Sequence, residues 1–510
     1  MSRTENSLRN LRYAALLNLA LVLVNFIARR IFVTVLSEQY LGLNGTFTNV
    51  LSMLSIAELG VGTAITYSMY KPLAVRDEEL LLSLMALYRR YYRVIGLVIA
   101  VLGVALTPLL PYLTYDLPDI RNIRLIYLLF VLDSALSYAL VYKQSLISAD
   151  QKQYIVTSYR NLALMALAIV QSVLLILTGN YYVYLAAKIV STVAINILLA
   201  RRADRMYPFL KNRSPRPLPD DVRAEISKNI RATLIHKLGT VVVFQTDNLL
   251  IAIFVGAVSV GIYSNYVMIT AGLTTAYLLV FRSVTASVGN LCAEEDRTHA
   301  REVFWELDLF TRWLYGFSAI SLVVLLNHFI GSVWLTKDYL FPMELVLIIS
   351  ANFYVTGMRQ SVLTYRDAMG LYWYDRYKAV FEAIINLVVS ILLARRYGIL
   401  GIFIGTFVST VTTCLWVEPY MLFKHGFRFP VRGYFLRYAL NTVLTVAAGF
   451  AAWYLASLLP DTGLLPFVGK LFVCAIVPNL LFWLCYRRTD EFRALWTMVV
   501  RRLRRTEKPL

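Results

Sequence analysis

The sequence predicts an all-α integral membrane protein with about fourteen transmembrane helices, arranged as two six-helix lobes and a C-terminal helix pair. Three observations support this fold class. The 510 residues are 58% hydrophobic and 16% charged, with a mean hydropathy of +0.61, whereas soluble domains are roughly 45–50% apolar and about 25% charged. Apolar stretches of about 20 residues recur along the whole chain, and basic residues concentrate in alternate loops. This composition excludes a soluble enzyme, a disordered chain and a disulfide-rich secreted scaffold.

Fourteen stretches have the length and apolar character that a membrane span requires. They start near residues 11, 43, 90, 123, 154, 181, 230, 258, 308, 342, 377, 398, 434 and 464. The first, at 11–36, exceeds the core of a signal peptide and no cleavage site follows it, so we interpret it as an uncleaved span. The chain has four scattered cysteines, none in a CxxC pair or at ligand spacing from a histidine, so we predict no metal or redox site.

The distribution of positive charge predicts the orientation. Lys and Arg total 50 and Asp and Glu total 31, which gives a formal net charge of +19. With a cytoplasmic N-terminus, most basic residues fall in cytoplasmic loops, including the run Arg201–Arg216 and the tail Arg487–Lys508. The positive-inside rule and the even span count therefore place both termini in the cytoplasm. A nucleic-acid partner is not predicted, because the cations are spread over many short loops.

An internal repeat predicts the domain organisation. Residues 201–228 are polar, basic and partly Pro-rich, as expected of a linker. At a shift of 219 residues, Leu41-Gly42-Leu43 faces Val260-Gly261-Ile262. We therefore predict two repeat-related lobes, an extra helix pair and a basic cytoplasmic tail, at residues 1–200, 229–423, 434–487 and 488–510, respectively. Repeats of equal topology with a substrate site between them are typical of transporters.

The first predicted helix carries a polar stripe. Asn18, Asn25 and Arg29 fall within about 20° of one another at 100° per residue, and Arg30 lies beside them. Ionisable groups inside a membrane are costly and usually face a cavity. Guanidinium groups bind phosphate in bidentate fashion. The stripe therefore predicts a central cavity for an anionic, phosphate-bearing substrate, with these four residues as its ligands.

Further polar residues lie within the predicted spans. The candidates for the cavity lining or for binding a coupling H⁺ or Na⁺ are Glu58, Asp133, His236, Lys237, Asp247, Asn248, Arg282 and Arg359. Simpler alternatives remain open for several of them. Arg282 and Arg359 lie near cytoplasmic helix ends and could snorkel to the headgroups. Glu58 and Asp133 could be hydrogen-bonded packing residues, and His236 could be a satisfied polar residue. No catalytic residue, metal site or cofactor is predicted.

Two motifs carry a family resemblance. Tyr40–Ala74 (YLGLNGTFTNVLSMLSIAELGVGTAITYSMYKPLA) resembles the second-helix region of Wzx-type bacterial polysaccharide flippases. Thr246–Gly256 (TDNLLIAIFVG), followed by Val260–Tyr266 (VGIYSNY), resembles the turn between the seventh and eighth helices of that family. The family belongs to the multidrug/oligosaccharidyl-lipid/polysaccharide (MOP) exporter superfamily, with the lipid II flippase MurJ and the MATE exporters. The resemblance implies a V-shaped pair of lobes and alternating access.

The resemblance also implies a substrate and a setting. These flippases move an undecaprenyl-diphosphate-linked oligosaccharide across the bacterial cytoplasmic membrane for O-antigen, capsule or teichuronic-type polymers. Arg29 and Arg30 fit the role of the cavity arginines that engage the lipid diphosphate. The extra helix pair corresponds to the pair that borders a lipid-tail groove in MurJ. The implied partners are the lipid-linked glycan, membrane lipids, and the polymerase and glycosyltransferases of the same pathway.

Other functions are weighed against this hypothesis. An ATP-driven transporter requires a G-x-x-x-x-G-K-[ST] loop, and the nearest match, Gly463–Lys470, has the wrong spacing. A membrane glycosyltransferase or O-antigen polymerase typically needs a large external loop, and the predicted external loops are short. A MATE-like multidrug or cation antiporter would have the same fold, but cation export favours an acidic cavity. A MurJ-like lipid II flippase stays open as an alternative.

Overall fold

The computed structural model describes residues 3–54, 58, 61–112, 120–212, 215–220, 222–224, 226–227, 246–294, 297–371 and 374–497. Every regular element among these residues is helical. The chain divides into two compact units, Met1–Gly261 and Ile262–Leu510. The first unit ends close to the middle of the chain.

The first unit contains both long and short helices. Its elements are α1 (Arg3–Val35), α2 (Glu38–Leu54), α3 (Val61–Val75), α4 (Glu78–Leu106, extended by a 3₁₀ turn, Thr107–Tyr112), α5 (Ile123–Ser137), α6 (Val141–Ala149), α7 (Gln153–Thr178), α8 (Tyr181–Met206), α9 (Phe209–Asn212) and α10 (246–254). Helix α8 includes residues 201–206, the start of the predicted linker, and the ion pair between Lys143 and Asp204, at 2.6 Å, fixes this end to α6.

The second unit contains the longest helices. Its elements are α11 (Ala257–Glu294, which begins in the first unit), α12 (Arg297–His328, extended by a π segment, Phe329–Trp334), a 3₁₀ turn (Lys337–Tyr339), α13 (Met343–Met358), α14 (Gln360–Met369), α15 (Lys378–Tyr397), α16 (Ile399–Ser409), a π segment (Thr410–Cys414), α17 (Leu415–Met421), a π segment (Leu422–Phe427), α18 (Arg432–Ser457) and α19 (Leu464–Tyr486).

The predicted fold class, an all-α integral membrane protein, is confirmed. Among the described residues, eight helices are long and apolar enough to cross a membrane, or nine if α5 and α6, bent by 42°, form one span. The predicted second and tenth spans are each divided between two shorter helices. The seventh lies largely outside the described residues. The total of fourteen therefore stays a prediction.

A short turn separates α3 from α4. Helix α3 ends at Val75, and α4 begins at Glu78 and continues to Leu106. Asp77 starts the new helix, because its Oδ1 accepts the backbone N–H of Leu80 at 2.9 Å. The apolar face of this first part is buried in the core of the first unit through Leu81, Leu84, Met85, Tyr88 and Tyr92.

Two glycines that the repeat aligns pack against each other. A Cβ at Gly42 would lie 2.4 Å from the carbonyl oxygen of Ala257, and a Cβ at Gly261 would lie 2.7 Å from the backbone nitrogen of Gly42. Both obstacles are backbone atoms, which cannot rotate away. Small residues at such crossings are what allow membrane helices to approach closely. The pair Gly42–Gly261 therefore requires glycine at both positions.

We expect Gly261→Ala to lower the thermal unfolding temperature of the purified protein, because the added methyl group must separate two backbones. Overpacking of this kind costs about 1–3 kcal/mol. The matched control is Gly272→Ala in the same helix, where an added Cβ meets nothing within 4 Å. That substitution should be neutral or stabilising by up to about 1 kcal/mol. Equal melting temperatures for the two variants would contradict the close-packing interpretation.

Candidate functional site

The residues of the polar stripe on α1 differ in their contacts and in their exposure. Asn18 lies against α7, where its Oδ1 accepts a hydrogen bond from Nδ2 of the buried Asn161 at 2.8 Å. Asn25 and Arg30 are exposed, and Arg29 is half-buried. The predicted stripe therefore includes one helix-packing residue, Asn18, and three residues nearer the C-terminal end of α1.

Arg29 lies beside a cluster of aromatic rings that the sequence analysis missed. Its side chain lies within electrostatic range of Tyr184 of α8. The ring centroid of Tyr184 is 5.2 Å from that of Phe32 and 5.8 Å from that of Tyr181, and Tyr181 is 4.8 Å from Tyr40. The cluster joins α1, α2 and α8 and fixes the surroundings of the guanidinium. The spacing of Tyr181 and Tyr184 at the start of α8 is the only sequence signal for it.

Asp133 is paired across two helices. One carboxylate oxygen accepts the hydroxyl of Thr192 at 2.6 Å, and the other lies 3.3 Å from Nζ of Lys188. Lys188 also lies over the ring of Phe130, 4.6 Å from its centroid. This pattern matches the alternative in which Asp133 is a hydrogen-bonded packing residue. It places a compensated charge pair between α5 and α8.

The same face of α8 continues toward the end of the helix near Met206. Asn196 follows Lys188 and Thr192 at the four-residue spacing that keeps side chains on one face. Its Oδ1 accepts from Gln144 at 3.0 Å, and its Nδ2 donates to the carbonyls of Leu136 and Ser137 at 3.3 and 3.1 Å. These carbonyls belong to the break between α5 and α6. Broken membrane helices need such partners for their freed backbone groups, so Asn196 stabilises the break.

Glu58 lies between α2 and α3, where one predicted span is divided. Its Oε1 accepts the hydroxyl of Tyr92 at 2.9 Å. Nearby, the hydroxyls of Tyr88 and Thr66 both donate to the carbonyl of Gly62, at 2.6 and 2.7 Å. Discontinuous helices that expose backbone carbonyls and a carboxylate are typical of ion and substrate sites in transporters.

The remaining candidates of the first unit are only partly described. Asp247 and Asn248 are half-buried on α10, and Nδ2 of Asn248 lies 3.5 Å from Oδ1 of Asn49 on α2. His236 and Lys237 lie outside the described residues.

Arg359 of the second unit does not snorkel, and its surroundings were not predicted. It lies at the junction of α13 and α14, where Nε and Nη2 donate to the two carboxylate oxygens of Glu418 at 2.9 and 2.7 Å. Lys378 also pairs with Glu418, and Glu382 lies 3.9 Å from Arg359. Glu418 is 1% exposed and Glu382 is 8% exposed. These four residues form a buried, electrically balanced cluster, which we call the charge cluster.

Two other features of the second unit concern Arg282 and a further buried ion pair. Arg282 is exposed, and α11 continues beyond it to Glu294. A second buried ion pair joins Arg312 to Asp308 within α12, and Asp308 also accepts the hydroxyl of Ser361 at 2.8 Å. Asp308 and Arg312 are four residues apart in an apolar helix, a spacing that sequence alone could have identified. In the described part of the chain, no group of His, Cys, Asp and Glu could hold a metal ion.

An apolar cavity lies beside the last helix. It has a volume of about 290 Å³ and is lined by α11, α12 and α19, with Leu273, Tyr277, Leu322, Phe467 and Leu471 among its walls. The cavity is entirely within the second unit. Its chemistry suits a hydrocarbon chain.

No protein-family model and no curated protein matches the sequence. Solved structures do match it. The lipid II flippase MurJ, in an inward closed conformation, has a TM-score of 0.63 at 12% identity over 93% of this chain and 99% of its own. The Vibrio cholerae MATE transporter VcmN has a TM-score of 0.53 at 14% identity, over 83% of this chain and 98% of its own. An inward-facing multidrug resistance MATE transporter of the MOP superfamily has a TM-score of 0.52 at 13% identity, over 81% of this chain and 99% of its own. The chain shares the fold of these transporters.

Proposed function

We propose that the protein is a secondary flippase that moves an undecaprenyl-diphosphate-linked oligosaccharide across the bacterial cytoplasmic membrane by alternating access. The observation that carries this proposal is the guanidinium of Arg29 on the first helix of a MurJ-like fold. All substrates of this class share the undecaprenyl chain and the diphosphate, and the diphosphate is the shared part that is charged. An arginine binds it bidentately and remains charged inside a membrane.

The proposed substrate site follows the sequence prediction. Arg29, Arg30 and Asn25 are the proposed diphosphate ligands, because Asn18 is used in packing against α7. A lipid chain would fit the apolar cavity of the second unit beside α19, a helix of the predicted extra pair. The two lobes, the linker and the cytoplasmic location of both termini are parts of the same proposal. So are the partners, namely the polymerase and glycosyltransferases of a surface-polysaccharide pathway.

Coupling to an ion is a further part of the proposal. Glu58, beside the break between α2 and α3, is the residue we favour for binding a coupling proton, since among the described residues its carboxylate pairs with the hydroxyl of Tyr92 and with no cation. Asp133 is less suited, because Lys188 and Thr192 already compensate its charge. Arg359 is also less suited to ion coupling, because two hydrogen bonds to the carboxylate of Glu418 already compensate its charge.

A MurJ-like lipid II flippase is the second candidate. The MurJ structure matches 93% of this chain, whereas the two MATE transporters match 83% and 81%. The larger match favours a polyprenyl-diphosphate substrate over the cation of a MATE-like antiporter. It does not distinguish a peptidoglycan precursor from another lipid-linked glycan.

The proposal is tested by deleting the gene and following the lipid-linked glycan. We expect the deletion strain to lose surface polysaccharide and to accumulate the undecaprenyl-linked intermediate on the cytoplasmic leaflet, because synthesis continues without export. Loss of peptidoglycan synthesis instead would identify lipid II as the substrate. A strain with normal surface glycans but a lower tolerance to cationic dyes would contradict the flippase proposal and support an antiporter. Re-expression of the intact gene is the control.

A further inference from the structure

A basic cavity lies at the turn between the last π segment and α18. It has a volume of about 630 Å³, and its walls include Lys424, Arg428 and Arg432 together with Tyr420 and Phe429. Arg428 has a left-handed backbone, with φ of 63°, which reverses the chain between the π segment and α18. The reversal brings three basic residues from the two sides of the turn around one space. No acidic residue lines it.

Several basic residues elsewhere in the second unit have carboxylate partners. Arg359, Lys378, Arg366 and Arg437 are all paired with carboxylates. Within the described residues, Lys424, Arg428 and Arg432 form no ion pair. Nζ of Lys424 donates to the hydroxyl of Tyr420 at 3.2 Å. The positive-inside rule accounts for basic residues in a cytoplasmic loop, but it does not account for three unpaired cations that surround one cavity.

The floor of the cavity is fixed to a neighbouring helix. The guanidinium of Arg301, near the start of α12, lies 3.7 Å from the ring centroid of Phe429. A cation–π contact at this distance holds the turn in place. The cavity is therefore preformed, and a ligand would not have to order the turn.

An apolar stripe leads away from the cavity. On α18, Leu436, Val443 and Phe450 fall within about 40° of Arg432 at 100° per residue. Their side chains are 63%, 68% and 66% exposed, respectively. In a membrane protein such residues face lipid. A basic headgroup site at one end of a lipid-facing stripe has the two-part chemistry of a phospholipid, which free phosphate lacks.

We propose that this cavity binds the headgroup phosphate of an anionic phospholipid from the cytoplasmic leaflet, with an acyl chain along the apolar stripe of α18. Basic pockets between helices at the cytoplasmic surface have this use in other membrane proteins. The leaflet follows from the proposed orientation of the chain. The site is separate from the proposed substrate site, which is built on α1.

The test measures binding of dioleoyl phosphatidylglycerol to the purified full-length chain by native mass spectrometry. The variant Lys424→Gln/Arg428→Gln/Arg432→Gln removes the three cations, all of them exposed. Because each basic residue near an anionic surface adds to the attraction for the lipid headgroup, we expect at least roughly tenfold weaker binding. The matched control is Arg201→Gln/Arg202→Gln/Arg205→Gln, which removes three exposed cations from the end of α8. Equal losses in both variants would overturn the proposal.

Two further arms identify the source of the phosphate. Dioleoyl phosphatidylcholine, which is zwitterionic, should bind the wild type no better than it binds the triple variant. Inorganic phosphate at millimolar concentration should not displace phosphatidylglycerol, and a water-soluble short-chain phosphatidylglycerol should bind more weakly than the dioleoyl form. Displacement by free phosphate, or equal binding of the two chain lengths, would overturn the assignment to a membrane lipid. Binding does not depend on transport, so these results are independent of the proposed function.

Discussion

Replacing Arg29 by alanine is expected to abolish export of the lipid-linked glycan while leaving the protein folded in the membrane. In the proposed mechanism, Arg29 supplies the charge that compensates a diphosphate as it leaves the cytoplasmic surface. Removing one partner of a desolvated charge pair costs roughly 2–5 kcal/mol. A loss of that size would lower the rate of flipping by at least about tenfold. The measurement is transfer of a labelled lipid-linked oligosaccharide across reconstituted vesicles.

A conservative variant distinguishes the contribution of the guanidinium geometry from that of the positive charge. Arg29→Lys keeps the positive charge but loses the planar fork of donors that binds phosphate bidentately. We expect intermediate activity, with weaker apparent substrate affinity. Arg202→Ala is the matched control, because Arg202 is exposed at the end of α8 and has no part in the proposed site. It should transport at the wild-type rate.

A structural role for Arg29 would give a different result. Arg29 lies near Tyr184 of the aromatic cluster, and in a structural role alanine would loosen α1. In that case the unfolding temperature and the amount of protein in the membrane would fall together with transport. Normal export by a folded Arg29→Ala protein would show that the diphosphate is bound elsewhere, and the proposed function would then lose the observation that carries it.

Composition was enough to predict the fold class, because a membrane fold depends on long apolar segments that a local average detects. The same averaging conceals helix breaks. The stretches around Glu58 and Arg359 are apolar enough to be predicted as single spans, although each contains a junction between two helices. Hydropathy reports the mean character of about 20 residues, whereas a break depends on a few backbone groups and their partners.

The candidate site was only partly predictable for a different reason. Local periodicity places Asn18, Asn25 and Arg29 on one face of α1, since this depends on helix geometry alone. Pairing across helices requires the tertiary fold. Asp133 and Lys188 are 55 positions apart in the chain, and Arg359 and Glu418 are 59 apart. A single sequence contains no signal for such contacts. It did contain Glu418 as a lone carboxylate in an apolar stretch, which could have been identified as an unpaired charge in need of a partner.

Glu418→Leu is expected to lower the stability of the second unit strongly. It removes the carboxylate that compensates both Arg359 and Lys378 and leaves two buried cations. Breaking a buried ion pair in this way costs about 3–5 kcal/mol. The detergent-purified variant should therefore unfold at a much lower temperature, or fail to accumulate. Glu418→Gln retains an acceptor oxygen and should be less severe.

Removing the cations together with the carboxylate should restore stability. In the triple variant Glu418→Leu/Arg359→Met/Lys378→Met, no charge of the two main pairs remains buried, and apolar replacement of buried ion pairs is often neutral or stabilising. Glu382 would then lie without Arg359, so a fourth change, Glu382→Gln, completes the neutral version. The control is Asp490→Asn, since Asp490 is fully exposed and surface ion pairs contribute about 0–1 kcal/mol.

The neutral variant also separates structure from transport. The charge cluster lies where two interrupted helices meet, the junction of α13 with α14 and helix α17 between its two π segments. If the cluster only compensates charge at this crossing, the neutral variant should fold and transport normally. If the ion pairs must open during alternating access, it should fold but transport slowly, because one conformation would be favoured over the other. A neutral variant that stays as unstable as Glu418→Leu would show that packing around the cluster, rather than its charge balance, holds the two helices together.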